Sequence, residues 1–196
     1  MEDELKKIWQ SSPNVERVKF EKSRLLMNVQ STLDDFNKKV KQRDMRELFA
    51  IVLVVPVFAY YVYSVPYVLT KVASALVIVW GIFVAIRLRN ARKHQPAKFT
   101  ETYIDYLNKS RTYVGLQKHM LDTVLYWYIL PAWACLTLFV AGFKDVPGRM
   151  PWMIRTESIN VAIAVAAYFL NKYAVKKQIL PVLRKIDELM MTLTNS

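Results

Sequence analysis

Four long apolar segments, separated by loops of very unequal charge, constrain this chain more than any other feature. They are Leu48 to Val65, Tyr67 to Ile86, Val124 to Phe143 and roughly Ser158 to Ala174. Each is about the length that carries a helix across a ~30 Å hydrocarbon core. Lipid offers the backbone no hydrogen-bond partner, so the segments are expected to be helices; open strands would leave their amides unpaired. Only Ser64, Val65 and Pro66 join the first two, and the proline ends the run, which predicts a tight helical hairpin.

Lysine and arginine in short loops stay on the cytoplasmic side. Of 28 such residues, 11 lie in residues 1–47, 8 in 87–122 and 5 in 172–196. The others are Lys71, Lys144, Arg149 and Arg155. Both termini and the middle loop are therefore expected on the cytoplasmic side. The formal net charge of +12 follows from that topology and from contact with anionic lipid heads, and does not call for direct nucleic-acid binding. Tyr60, Tyr61, Tyr63 and Tyr67 mark one interface and Tyr126, Trp127 and Tyr128 the other. Pro56 and Pro131 fall inside apolar segments, where each removes a backbone hydrogen bond and favours a kink. No cleavable signal peptide is expected, since acidic Glu2, Asp3 and Glu4 open the chain and the first apolar run begins near residue 48.

The periodicity changes outside lipid. Leu26, Val29, Leu33, Phe36 and Val40 recur at spacings of three and four, the seam of a helix packed lengthwise on another. The same spacing appears in Tyr103, Leu107, Ser110, Val114, Gln117 and Leu121, and again in Ile179, Val182, Leu183, Ile186, Met190 and Leu193. Three such segments entering from one side can bury their stripes in a common bundle; the alternative is that some lie flat on the bilayer as basic amphipathic helices. The expected fold is thus all-α: a polytopic membrane protein with four transmembrane helices, N-in and C-in, extending into a cytoplasmic helical bundle. Its parts are a cytoplasmic amphipathic segment (1–47), a first transmembrane hairpin (48–86), a cytoplasmic helical loop (87–122), a second hairpin (123–174) with a short periplasmic loop (144–156), and an amphipathic tail helix (175–196).

Close helix approach is expected at Gly81 and Ala85 and at Ala162 and Ala166, with Asn160 and Asn171 bonding across the bundle, patterns equally compatible with a homodimer. Near the N-terminus Leu5, Ile8 and Trp9 share a helical face, and Ser11, Ser12, Pro13 and Asn14 are expected to break the helix after it. That face can dock on a partner protein in helix-in-groove fashion or fold back on its own bundle. Arg87, Arg89, Arg92 and Lys93 follow the second segment at headgroup depth, where they suit anionic lipid.

Chemistry is scarce. The single cysteine, Cys135, lies mid-membrane, and His94 and His119 lack partners at metal-ligand spacing, so neither a metal, a cofactor nor a catalytic group is expected. Four glycines do not make a phosphate cradle. No Asp, Glu, Lys or Arg falls near the centre of a segment, which argues against ion-coupled transport; Lys71 can snorkel, and Glu157 is placed at the outer start of the fourth helix.

The run Glu-Leu-Lys-Lys-Ile-Trp-Gln at residues 4–10, a basic helix entering a tight hairpin, and Leu-Tyr-Trp-Tyr-Ile-Leu-Pro at 125–131 resemble small bacterial inner-membrane proteins often encoded beside extracytoplasmic-function sigma factors. The resemblance implies a membrane-bound partner or regulator of such a factor, and the His and two Cys of the zinc-binding anti-sigma type are absent. The expected function is a non-enzymatic regulatory or scaffold protein that binds membrane lipids and a soluble cytoplasmic protein, with Leu5, Ile8, Trp9, Leu26, Val29, Leu33, Phe36 and Val40 as candidate partner contacts. The alternative is a small channel or carrier for a neutral or lipid-like solute, lined by Thr137, Asn160 and Asn171.

Overall fold

The computed structural model describes the backbone of residues 2–96 and 103–194, and the side chains of residues 24, 27–96 and 104–193. The described residues form helices and no strand: α1 (Glu2–Ser64), α2 (Val68–Lys93), α3 (Tyr103–Asp122), α4 (Leu130–Ala141), α5 (Met150–Ala174) and α6 (Leu180–Thr194). Two π turns, Leu125–Ile129 and Val175–Ile179, precede α4 and α6. Three stretches are long and apolar enough to cross a membrane, Met27–Ser64, Val68–Lys93 and Met150–Leu193. The pair Ile104–Asp122 and Leu125–Ala141, bent by 54°, makes a fourth when taken as one broken span. The chain is an all-helical membrane protein.

Prolines inside these helices shape them without ending them. At 63 residues α1 is ~95 Å long, and it runs through Pro56 and through Ser11–Asn14, where a break was expected. An interior proline forfeits one backbone bond and crowds the carbonyl four residues back, and the bonds on either side carry the helix past it. At Pro131 and Pro181 the chain responds by widening the preceding turn. The Leu130 amide donates to the Leu125 carbonyl and the Leu180 amide to that of Val175, five residues back in each case. One extra residue in the turn displaces the carbonyl that the proline ring would strike. A fourth proline works differently: Pro151 sits in the first turn of α5, where its missing amide costs nothing and its φ is preset. α5 therefore starts at Met150, eight residues before the apolar run at Ser158, and shortens the expected 144–156 loop.

The molecule packs in two parts. At the bundle end Val29, Leu33, Phe36 and Val40 of α1 share one core with Leu107, Tyr113, Val114 and Leu121 of α3 and with Ile179, Val182, Ile186 and Leu189 of the C-terminal helix. Phe36 and Tyr113 meet edge to face at 6.3 Å between ring centres. These three seams face one another in a bundle, and none lies apart as a separate flat helix.

In the apolar part α2 is the central helix. Its buried residues are Thr70, Ala73, Ser74, Val77, Gly81, Val84 and Leu88, mostly small and spaced by threes and fours, which lets neighbouring backbones approach closely. A Cβ built on Gly81 would rest at 3.5 Å from Ile51 and 3.6 Å from Val55, an ordinary contact. One on Gly142, just past α4, would run into the Thr70 hydroxyl and lie 2.8 Å from the Thr70 backbone nitrogen. At that far end Phe58, Tyr61, Tyr67, Phe139, Phe143 and Trp152 form a chain of edge-on rings.

α5 is the exception, because none of its residues is buried. Ala162 and Ala166 face outward, so they do not mediate close packing within the chain. Asn171 donates to the Ala167 carbonyl of its own helix at 2.8 Å instead of bonding across the bundle. The reason is geometric: an asparagine side chain reaches the carbonyl one turn back more readily than a distant helix when no neighbour closes on it.

The Gly142 contact can be tested. Gly142→Ala is expected to lower stability by about 1–3 kcal/mol, because backbone atoms of α2 must move. Gly115→Ala, whose Cβ meets nothing within 4 Å on α3, is expected to raise it by up to ~1 kcal/mol through helix propensity. Thermal unfolding of the purified protein in detergent checks both; equal effects would contradict the packing described.

Candidate functional site

Where the bundle meets the apolar helices, the α1 seam continues past Val40 at the same spacing and places Asp44 and then Glu47 on its inner face. Asp44 is 1% exposed. Its Oδ1 accepts from Arg43 Nη2 at 2.8 Å and Nε at 3.1 Å, and its Oδ2 accepts from Arg92 Nε on α2 at 2.9 Å. Arg43 Nη2 also donates to Gln117 Oε1 on α3 at 2.9 Å, and Arg92 Nη2 to the Lys41 carbonyl at 3.1 Å. One carboxylate thus joins three helices through two guanidinium groups. Delocalised, fork-shaped donors suit such a site, because each spreads its charge over several bonds. Tyr113 lies in the same field: burial first, and the Asp44 charge second, push its hydroxyl pKa above the usual range.

A second ring of polar contacts surrounds this centre. Tyr128 donates to Glu47 Oε2 at 2.6 Å and ties the first π turn to α1. Trp127 donates to the Met120 carbonyl at 2.9 Å, and the Arg87 guanidinium stacks 4.5 Å from the Trp127 ring centre. Asp122 pairs with Lys118 and with Lys172 of α5, both at 3.3 Å. Burial raises the Asp122 pKa, but hydrogen bonds and charges from Lys172 and Lys118 outweigh it and hold the carboxyl below its usual range. Farther into the bundle Arg111 meets Asp187 of α6 at 2.6 Å. The junction is an electrostatic fastening. Among the described residues no group of three or more His, Cys, Asp or Glu is placed to hold a metal ion.

This geometry redistributes the residues expected from sequence to make contacts. Val29, Leu33, Phe36 and Val40 are 3–6% exposed and face α3 and α6, so they are core and not contacts for a soluble partner. Their stripe was complete enough to satisfy itself within the chain. Leu5, Ile8, Trp9 and Leu26 lie outside the described side chains. Arg92 is bound to Asp44, which leaves exposed Arg89 and Lys93 as the lipid-headgroup candidates and Arg87 engaged with Trp127. Of the residues expected to line a solute path, Thr137 donates to Glu157 Oε1 at 2.7 Å, and Asn171 donates to the Ala167 carbonyl of its own helix. Glu157 stands two turns inside α5, not at the helix start. Asp44 and Glu47 were missed, although extending the three-and-four spacing beyond Val40 would have reached both.

No protein-family model, curated protein or solved structure matches this chain.

Asp44→Ala is expected to destabilise the protein by about 3–5 kcal/mol, because it strands two part-buried guanidinium groups. Replacing Asp44, Arg43 and Arg92 together by leucine or methionine should recover most of that loss. Unfolding of the variants in detergent is the measurement, and a single variant no worse than the triple would contradict the assignment. Asp122 supplies a pH test. Its depressed folded pKa gives stability that is present above the unfolded value of about 3.9 and lost as pH falls through the folded one. Melting temperatures between about pH 5 and 2.5 should therefore fall less steeply for Asp122→Asn than for the parent; parallel curves would count against these ion pairs.

Proposed function

We propose that the protein is a non-enzymatic adaptor of the bacterial inner membrane, with four spans and both termini in the cytoplasm, that binds a soluble protein through its cytoplasmic helices. The observation that carries this reading is the continuity of α1, one helix from Glu2 through the bundle into the first hairpin. An event at its amino-terminal end is mechanically joined to the membrane part, and the Asp44 junction braces that rod against α2 and α3. Because α1 residues 29–40 are consumed by the core, the partner surface is assigned to the earlier turns that hold Leu5, Ile8 and Trp9. The basic side of the junction, with exposed Arg89 and Lys93, rests against anionic lipid heads. The partner class that the sequence resemblance suggests is an extracytoplasmic-function sigma factor, bound without zinc.

The test is retention of a cytosolic protein by the full-length chain, tagged at its C-terminus and isolated from crosslinked native cells. A soluble partner identified by mass spectrometry is expected to be retained, and Ile8→Glu with Trp9→Glu should reduce it about tenfold or more. Retention unchanged by that pair would move the partner surface elsewhere, and no retained cytosolic protein at all would overturn the adaptor reading. A retained protein that is not a sigma factor would overturn only the narrower identification.

A further inference from the structure

A cleft of about 430 Å³ opens between α1 and α2 beside the Asp44 junction. Its lining changes character along the helices. Leu48 on α1 with Ala85, Ile86 and Leu88 on α2 make the apolar part, and Asp44, Arg89 and Arg92 the charged part. Leu48 opens the first apolar segment and Ile86 closes the second, so the change falls at the level where hydrocarbon gives way to head groups. We propose that this cleft is a site for one anionic phospholipid, its phosphate held by Arg89 and Arg92 and its upper acyl chain against the apolar part.

The charge of the cleft carries the argument. Asp44 is 1% exposed and both its oxygens already accept from guanidinium groups, so it is covered and neutralised. Arg43, Arg89 and Arg92 stand against that one carboxylate and leave the cluster positive by two. Arg92 spends Nε on Asp44 and Nη2 on the Lys41 carbonyl, yet its side chain is 31% exposed and its Nη1 has no partner among the described residues. Arg89, three residues earlier on the same face of α2, is exposed and pairs with no carboxylate among the described residues. Neighbouring cations at the junction are otherwise engaged: Arg87 stacks on Trp127, and Lys172 pairs with Asp122. Two guanidinium groups one turn apart suit a phosphate, whose several oxygens accept from both forks.

The two halves of the lining together select the ligand. A free phosphate would answer the arginines and leave Leu48, Ala85 and Ile86 against water. A neutral acyl chain would answer those three residues and leave the net charge unmet. Phosphatidylcholine carries the same phosphate but brings a trimethylammonium toward a positive cluster, whereas phosphatidylglycerol brings only the negative charge. The volume lies in the lower part of the range for small-ligand sites, room for a head group and the first carbons of a chain, with the rest in the bilayer. This inference rests on the reading of Arg89 at head-group depth, and adds that one lipid is held there against both α1 and α2. It is independent of which soluble protein the α1 turns hold.

The experiment uses the full-length protein in phosphatidylcholine nanodiscs containing traces of phosphatidylglycerol or phosphatidylcholine with a diazirine near the head-group end of one chain. Phosphatidylglycerol is expected to label residues 44–48 and 85–92 about tenfold more than phosphatidylcholine, the gain from one or two basic contacts, and to be enriched less at the basic stretch 172–177. Unlabelled phosphatidylglycerol should compete where inorganic phosphate does not. Arg89→Gln should lower the selectivity about fivefold, and Lys176→Gln, which removes an exposed charge outside the cleft, should change it less than about twofold. Ala85→Phe should reduce labelling by filling the cleft with every cation retained. Equal labelling of the cleft by the two lipids would overturn the site and leave head-group depth standing, whereas no labelling there by either would remove the depth as well. Equal enrichment at 172–177, equal effects of the two charge substitutions, or competition by inorganic phosphate as strong as by the lipid would also overturn the proposal. The comparison of lipids and of labelled stretches in the parent protein decides the matter even where a variant fails to fold.

Discussion

Asp44 is held between two guanidinium groups at the level where the apolar helices give way to the bundle. Every helix that approaches this level is positioned by it or by its neighbours: α2 through Arg92, α3 through Gln117, the first π turn through the adjacent Glu47 and Tyr128, and α5 through Lys172 and Asp122. A charge buried to this degree is stable only when its partners are in place, so wrong axial placements of these helices are costly in a way that apolar contacts alone would not make them. Leucine stripes tolerate sliding by a turn; a carboxylate with three donors on it does not.

The two helix pairs that flank this junction, α1 with α2 and α4 with α5, differ in how they are built. α1 and α2 approach closely along a run of small residues, and α2 reaches α4 through Thr70 and Gly142. α5 meets α4 loosely, buries nothing fully and leaves a groove. The difference is visible in placement: α2 buries Thr70, Ala73, Ser74 and Gly81 on one face, whereas Ala162 and Ala166 of α5 point outward. Close packing needs small side chains on the facing surface, and their number in the helix is not enough.

Much of the bundle was legible in the sequence, because the three-and-four spacing of Leu33, Phe36 and Val40, of Leu107, Val114 and Leu121, and of Ile179, Val182 and Ile186 reports directly which side of each helix is buried. Polar members of those stripes were harder. Ser110 and Gln117 were noticed as interruptions; Asp44 and Glu47 were not, since a charged residue ends a hydrophobic pattern by definition even when it continues the geometry. Proline was ambiguous for a related reason. The same residue is passed over at Pro56, absorbed by a widened turn at Pro131 and Pro181, and used to start a helix at Pro151, and only the neighbouring backbone bonds distinguish these outcomes. Which residues of α4 and α5 face each other depended on the bend after α3 and could not be read from spacing at all.

The unbroken course of α1 has a further meaning for how such a protein evolves. In a straight rod the azimuth of one end is fixed by the number of residues to the other, about 100° for each residue added or removed. Point substitutions on the outward side can accumulate freely, but an indel anywhere between Leu33 and Ile51 would swing the amino-terminal turns to a different compass bearing around the bundle. Length along this helix is therefore the more constrained quantity, and sequence the more forgiving one.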